Sequence, residues 1–333
     1  MTLRLDALDV RAHPDDRGLL LRARAGALLG EGEAVERAGF SAPAERLLGA
    51  ARDLARDLLG AEFSDLDGLR RLTAAPLVAA APAPARFALE TALLDLLGQR
   101  RGLPLGALLG APASARLPRS ALVAGPDHAR MAQESGYTVL KVKAHGPWPD
   151  DLRRLRLIRA AVPALALRLD ANGGLPRPQA PALLRDLQAL NPEYLEEPIP
   201  GRDPARWAEL LTRSGLRADL QLAVDESALE DHDFNAHLRA RVARVVILKP
   251  AFCGLFGALD RATRARAVGL EIVVTSALEG PVGCAAAAHL AFALGASRAA
   301  GITPRSGAAV PAWLDPARPL LHMPDQPGLA ARS

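Results

Sequence analysis

Lysine is almost missing from this chain of 333 residues. Lys141, Lys143 and Lys249 are the only three, and arginine supplies every other side chain of permanent positive charge. A preference for arginine accounts for surfaces without lysine, since either side chain solvates a surface. It does not account for three amines kept at the ends of two apolar runs. An amine that is desolvated or set near another cation can lose its proton and act as a base, whereas a guanidinium in a protein keeps its proton. The three lysines therefore point to a catalytic site.

Other scarcities exclude whole classes of function. Aromatic residues make up only 4% of the chain, the net charge is +4, and arginines alternate with acids, as in Arg52-Asp53 and Arg56-Asp57. Without a basic stripe interleaved with aromatics, no nucleic-acid partner is expected. Cys253 and Cys284 stand alone, with neither metal-ligand spacing nor a dense disulfide pattern, which suits a reducing compartment and two small buried side chains. No apolar run is long enough for a bilayer. The most apolar segment, Pro281 to Gly295, contains His289 and reads as a buried helix with a core histidine. Met1 to Asp16 carries acids and His13-Pro14 where an export signal needs an uninterrupted apolar stretch. A cytoplasmic protein with no membrane partner is expected, and an oligomer is left open.

What is present is rhythm. From about residue 117, short β-type runs alternate with helical stretches, as successive βα units do. The runs are Ser120–Ala124, Thr138–Val142, Leu165–Leu169, Tyr194–Leu195, Leu220–Val224, Val245–Leu248, Glu271–Val274 and Ala299–Ile302. Helices are expected at Pro149–Ala161, Pro176–Leu190, Pro204–Ser214, Phe256–Val268 and Pro281–Leu294. Eight runs predict a (β/α)8 TIM-type barrel over 114–304. Residues 1–113 lack this rhythm and predict an N-terminal α+β capping domain. It has a strand pair at Leu3–Arg11 and Gly18–Arg24, a glycine loop Gly30-Glu31-Gly32-Glu33, and helices at Ala42–Leu59 and Pro84–Gln99. The glycine pair lacks the remaining residues of a phosphate loop. The proline-punctuated tail, 305–333, is expected to return to the capping domain.

The lysines fall into a pattern on this scaffold. Lys141 and Lys143 are two apart on a strand and share a face, so each lowers the other's proton affinity. The next three runs end in acids, at Leu169-Asp170, Leu195-Glu196-Glu197 and Val224-Asp225-Glu226, and the fourth ends in Lys249-Pro250. Each step is about one βα unit, so five consecutive strand ends present lysine, three acids and lysine at the barrel face where such enzymes keep their active sites. Three carboxylates without histidine or thiolate form a hard oxygen site for Mg2+, with Mn2+ as the other ion that fits. Glu196 and Glu197 face oppositely, so only one of them is expected on the metal. The space between the lysines suits a small carboxylate substrate. The ion and one amine would stabilise an enediolate while the other amine removes the α-proton.

The phrases Lys141-Val142-Lys143, Leu169-Asp170-Ala171-Asn172, Leu195-Glu196-Glu197-Pro198, Asp225-Glu226-Ser227 and Lys249-Pro250 resemble the enolase superfamily, muconate-cycloisomerase-like subgroup. That superfamily is itself a known example of a lysine or histidine base working beside magnesium. The resemblance implies Asp170, Glu196 and Asp225 as metal ligands, Lys143 as base, Lys141 as its charge-tuning neighbour and Lys249 as the amine across the substrate. Gly32-Glu33 with Gly39-Phe40-Ser41, Leu167 to Asn172, and Tyr194 to Pro198 are most similar to the o-succinylbenzoate synthase family, which implies dehydration of a cyclohexadiene carboxylate. Thr275, Ser276 and Gly301 then stand where relatives hold the succinyl carboxylate, with Asn172 and Phe40 also expected at the substrate. The first cap loop, His13 to Gly18, is short, which implies a less enclosed site, and Gly173-Gly174 replaces bulkier residues. N-acylamino-acid racemases need the same two-sided lysines and are the nearest rival. Dipeptide epimerases place an acidic pair where this chain has Gly301-Ile302-Thr303-Pro304. A silent barrel acting as a scaffold would be expected to have lost at least one of the five charged groups.

Overall fold

Near-continuous apolar runs are what strands buried on both faces require, and seven of them form one parallel sheet. In this computed structural model, which describes residues 2–13, 17–216, 220–295 and 297–331, the strands are Ala121–Val123, Val139–Lys143, Ala166–Asp170, Tyr194–Glu196, Leu222–Val224, Val245–Leu248 and Glu271–Val274. Each pairs with the next in chain order, and helices cover the outside.

The expected eighth strand, Ala299–Ile302, is not a regular strand. Ala300 and Gly301 make only isolated parallel bridges, to Arg119 and Thr275. Four backbone bonds still close the circle. Ser120 donates to Ala300 and Ala300 to Pro118 on one side, and Ser276 donates to Gly301 and Gly301 to Val274 on the other, all at 2.8–3.0 Å. The pairing stops at Thr303, whose N–H goes to the Ser276 hydroxyl instead of a ladder partner. A β-carbon on Gly301 would lie 2.7 Å from Thr275 Cγ2, so only glycine lets this segment seat against the seventh strand.

The strand expected at Leu3–Arg11 is two: Leu3–Arg4 pairs with Glu62–Phe63, and Ala7–Ala12 opens an antiparallel meander with Gly18–Ala25 and Leu28–Val35, around which lie the helices Ala44–Asp57 and Ala83–Arg101. The glycine loop expected at residues 30–33 is instead the middle of the meander's third strand. A β-carbon on Gly32 would lie 1.8 Å from the Ala88 carbonyl oxygen, and one on Gly30 would lie 2.1 Å from that of Ala92. These glycines let the strand lie directly on the long helix. Pro14, Asp15 and Asp16, in the loop expected to be a short lid, lie outside the described residues.

Other boundaries shift for local reasons. The helix expected from Pro176 begins at Ala180, because the Pro176 carbonyl takes the Gln179 and Ala180 N–H groups in a preceding turn. Helices at Leu66–Thr73, Pro126–Glu134 and Asp231–Ala240 were not anticipated. Asp65 caps the first of them by accepting from Gly68. In the tail, Leu320–His322 pairs with Arg116–Pro118, and the Leu329 N–H reaches Asp95 on the long cap helix. His289 is a core histidine. It lies between the Gly106 N–H at Nδ1 and the Leu329 carbonyl at Nε2, and burial pushes it down to about 4.

Two buried cap glutamates join cap to barrel through helix N-termini, where backbone N–H groups lack partners within the helix. Glu33 accepts from Gly280 at 2.6 Å and Gly283 at 3.0 Å, at the start of Pro281–Leu294. Glu90 accepts from Leu255 at 2.6 Å and Phe256 at 3.2 Å, at the start of Leu255–Ala267. No helix among the described residues is long and apolar enough to cross a membrane.

Burial raises the Glu90 carboxyl to about 7, against its N–H donors and the nearby Arg86 and Arg70. The folded chain therefore holds a proton that the unfolded chain, near 4.5, has already released. This group's stabilisation is full below about pH 4.5 and is lost as pH rises through about 7. Urea titrations from pH 5 to 8 are expected to show the parent chain losing on the order of 2 kcal/mol relative to Glu90→Gln. Parallel pH profiles for the two would contradict the assignment. Gly32→Ala is expected to cost about 1–3 kcal/mol or more, since strand and helix must part. An unchanged urea midpoint would show that the contact yields freely.

Candidate active site

Strand register does most of the assembly. Lys143 is level with Asp170, and Asp170 with Glu196, so neighbouring strands deliver an amine and two acids side by side at their C-terminal ends. Asp170, Glu196 and Asp225 are buried, and one oxygen from each lies within 4.8 Å of the others. Like charges this close raise one another's pKa, and the structure sets amines against them. Lys141 Nζ lies 2.5 Å from Glu196 and 3.0 Å from Asp170, and Lys249 Nζ lies 2.6 Å from Asp225.

The titration of the cluster follows from these contacts. Burial, Asp170 and Asp225 push the Glu196 carboxyl up to about 8, against Lys141. For Asp170, burial is outweighed by Lys141, Lys143 and the Asn172 N–H, so its carboxyl lies below the usual range. Burial pulls both buried amines down, but the carboxylates outweigh it and hold Lys141 and Lys249 above the ordinary lysine value.

The donor set fits a divalent ion. Its three carboxylates are hard oxygen ligands, and Glu196 Oε1 and Asp225 Oδ1 are buried with no hydrogen-bond partner. Glu197 is used differently. Its Oε1 accepts from the Asp225 and Ser227 N–H groups, both at 2.8 Å, and its Oε2 from the Ser227 hydroxyl at 2.9 Å. It orders the backbone that carries Asp225.

Lys143 stands apart from the buried cluster. Its Nζ donates to Asn172 Oδ1 at 2.8 Å, and Asn172 Nδ2 donates to Glu226 at 3.2 Å. Asn172, at φ +44°, thus spends both ends of its amide on site residues. Gly174 follows because a β-carbon there would lie 2.7 Å from the Ala171 carbonyl oxygen.

A cavity of about 620 Å³ lies between the strand ends and the cap, bordered by Lys141, Lys143, Asp170 and Lys249. Asn172, Thr275, Ser276, Gly301 and Phe40 border it as well. The Phe40 ring stacks on Phe252 at 5.6 Å and lies 5.1 Å from Lys249 Nζ. Thr275 Oγ1 is buried without a partner, whereas the Ser276 hydroxyl is engaged by the N–H and carbonyl of Thr303. Sequence reasoning missed Arg37, Leu122, Arg202 and Leu278 on the cavity wall. Leu122 sits on the first barrel strand, level with Lys141, and the other three sit in loops without a motif, where only the neighbourhood of Gly39-Phe40 could have drawn attention to Arg37.

Comparisons with known proteins agree with this geometry. Residues 126–332 match the family model described as enolase C-terminal domain-like, and residues 14–110 match the N-terminal domain of mandelate racemase / muconate lactonizing enzyme. An N-succinyl-L-Arg/Lys racemase from Bacillus cereus is 28% identical over 62% of this chain and 58% of its own length. An o-succinylbenzoate synthase from Mycobacterium bovis is 37% identical over 49% of this chain and 48% of its own. The match thus spans about half of each of these two relatives. The solved structure of a dipeptide epimerase from Methylococcus capsulatus, complexed with Mg ion, superposes with a TM-score of 0.83 at 28% identity, covering 98% of this chain and 99% of that one.

Saturating Mg2+ is expected to raise the melting temperature, by about 2.7 kcal/mol of stability at a hundred times its Kd. Asp225→Asn is expected to lose the shift and Glu197→Gln to keep it. The reverse pattern in a thermal scan would exchange the roles of these two acids.

Proposed function

Since this chain belongs to the enolase superfamily, we propose that it is an o-succinylbenzoate synthase, dehydrating 2-succinyl-6-hydroxy-2,4-cyclohexadiene-1-carboxylate in menaquinone biosynthesis. The observation that carries this reading is the pair of separately held amines, Lys143 on Asn172 and Lys249 on Asp225, either side of the acidic triad. A divalent ion held by Asp170, Glu196 and Asp225 would supply Lewis-acid stabilisation of charge on carboxylate oxygens. Lys143 takes the proton from the carbon bearing the carboxylate, and Lys249 opposes the enediolate charge from the other face. The Lys143 ammonium then returns its proton to the departing hydroxyl. Water leaves and the ring becomes aromatic, which makes the step downhill. Lys141, between Glu196 and Asp170, offsets the charge of the acids.

A second reading has its own support. Two amines across one enediolate are what a racemase needs, and a similar protein is an N-succinyl-L-Arg/Lys racemase. Both relatives' names specify a succinyl group. A dipeptide epimerase is less favoured, because Gly301 to Pro304 brings no acid to the cavity wall for a substrate amine.

The test offers the protein with Mg2+ the cyclohexadiene and, separately, an N-succinylamino acid in deuterated water. Loss of the diene absorbance supports the synthase, and deuterium incorporation without loss of water supports the racemase. If neither occurs, the proposal falls. Lys143→Ala, Lys143→Arg and Lys249→Ala are each expected to lower kcat about 100- to 10,000-fold, since arginine cannot cycle a proton. Turnover retained by Lys143→Arg would remove Lys143 as the base.

A further inference from the structure

Five cationic side chains border the cavity, and four are held by neighbours. Lys141 lies on Glu196, Lys249 on Asp225, Lys143 on Asn172, and Arg202 on Asp233 at 3.2 Å. The fifth, Arg37, has a guanidinium with no partner among the described residues. No ion pair joins it to the adjacent acid, Glu36, whose Oε2 accepts the Ala44 N–H at 2.8 Å.

The backbone carrying Arg37 is ordered. Its carbonyl accepts from Phe40 at 2.9 Å and Ser41 at 3.0 Å, while the Ser41 hydroxyl accepts from the Arg37 N–H at 2.8 Å. Gly39, at φ +79°, supplies the positive dihedral that the third residue of such a turn needs. The Cα atoms of Arg37 and Phe40 are therefore within about 7 Å of each other. Phe40 is the residue whose ring faces Lys249 Nζ. Arg37 thus borders the cavity from the cap, three residues before Phe40, as an exposed planar fork suited to a carboxylate.

We propose that Arg37 anchors the distal carboxylate of a dianionic substrate and so sets the preference for succinyl-bearing substrates over uncharged-tail analogues. This rests on the reading of the site as one for succinyl carboxylates, and it moves the principal contact from the barrel to the cap. On the barrel side the Ser276 hydroxyl is already occupied, which leaves the neutral Thr275 hydroxyl as a lesser contact.

The test is calorimetric binding, with Mg2+ present, of 2-succinylbenzoate and of 2-butanoylbenzoate, which has the same length but lacks the distal carboxylate. The parent protein is expected to bind the succinyl ligand about 10- to 100-fold more tightly, as one charge-assisted contact provides. In Arg37→Met that ratio should fall towards one, and Arg37→Lys should restore part of it. With the cyclohexadiene substrate, the Arg37→Met loss should lie in KM more than in kcat. If Arg37→Met weakens both ligands alike, Arg37 acts on the loop and the inference is overturned. An unchanged ratio overturns it as well. Turnover with an Arg37-independent ratio sinks the anchor and leaves the proposed reaction standing. An Arg37-dependent ratio without turnover of either candidate substrate does the opposite, and no binding of either ligand sinks both.

Discussion

Three carboxylates buried within 4.8 Å of one another are the constraint around which the rest is arranged. Left alone, such a cluster would protonate or force the strand ends apart. Lys141 and Lys249 offset part of the charge, and two buried oxygens remain free to meet a cation. The lysines that identify the site in the sequence therefore also make its acids tolerable in the fold. Arginine would be a poor substitute at either position, because its planar fork is bulkier than a compact ammonium.

A parallel barrel suits this constraint because register, not loop conformation, sets the spacing of its strand ends. Lys143, Asp170 and Glu196 are level with one another across three strands, and Glu197 ties down the backbone under Asp225. The cap supplies what the barrel lacks. Phe40 covers Lys249, and Glu33 and Glu90 fasten the cap onto N–H groups at two barrel helix starts. The glycines at 30 and 32 bring the strand that bears Glu33 down onto the helix that bears Glu90, so a packing detail of the cap bears on its seating over the site.

The barrel and its charged groups were legible because each depends on short-range pattern. Apolar runs of strand length recurred at βα spacing, and acids or lysines stood at their ends. What was not legible has long-range causes. The run at Ala299–Ile302 looks like any other, yet it pairs only by bridges because Thr303 is drawn to Ser276. Gly30-Glu31-Gly32-Glu33 has the composition of a loop, and only the approach of Ala88 and Ala92 explains a strand there. Asn172 borders the cavity as expected, but nothing local in the sequence shows that the two ends of its amide meet Lys143 and Glu226.

The sequence by itself determined which chemical groups are available and on which strand ends they stand, since side-chain alternation and βα repeat length are local properties of the chain. Tertiary structure decided which of those groups touch. It put Lys141 rather than Lys143 on the acids, turned Glu197 to the backbone and brought Arg37 to the cavity wall without a counter-charge among the described residues. Those outcomes depend on distances between residues tens to hundreds of positions apart, which are fixed only when the barrel closes and the cap is seated.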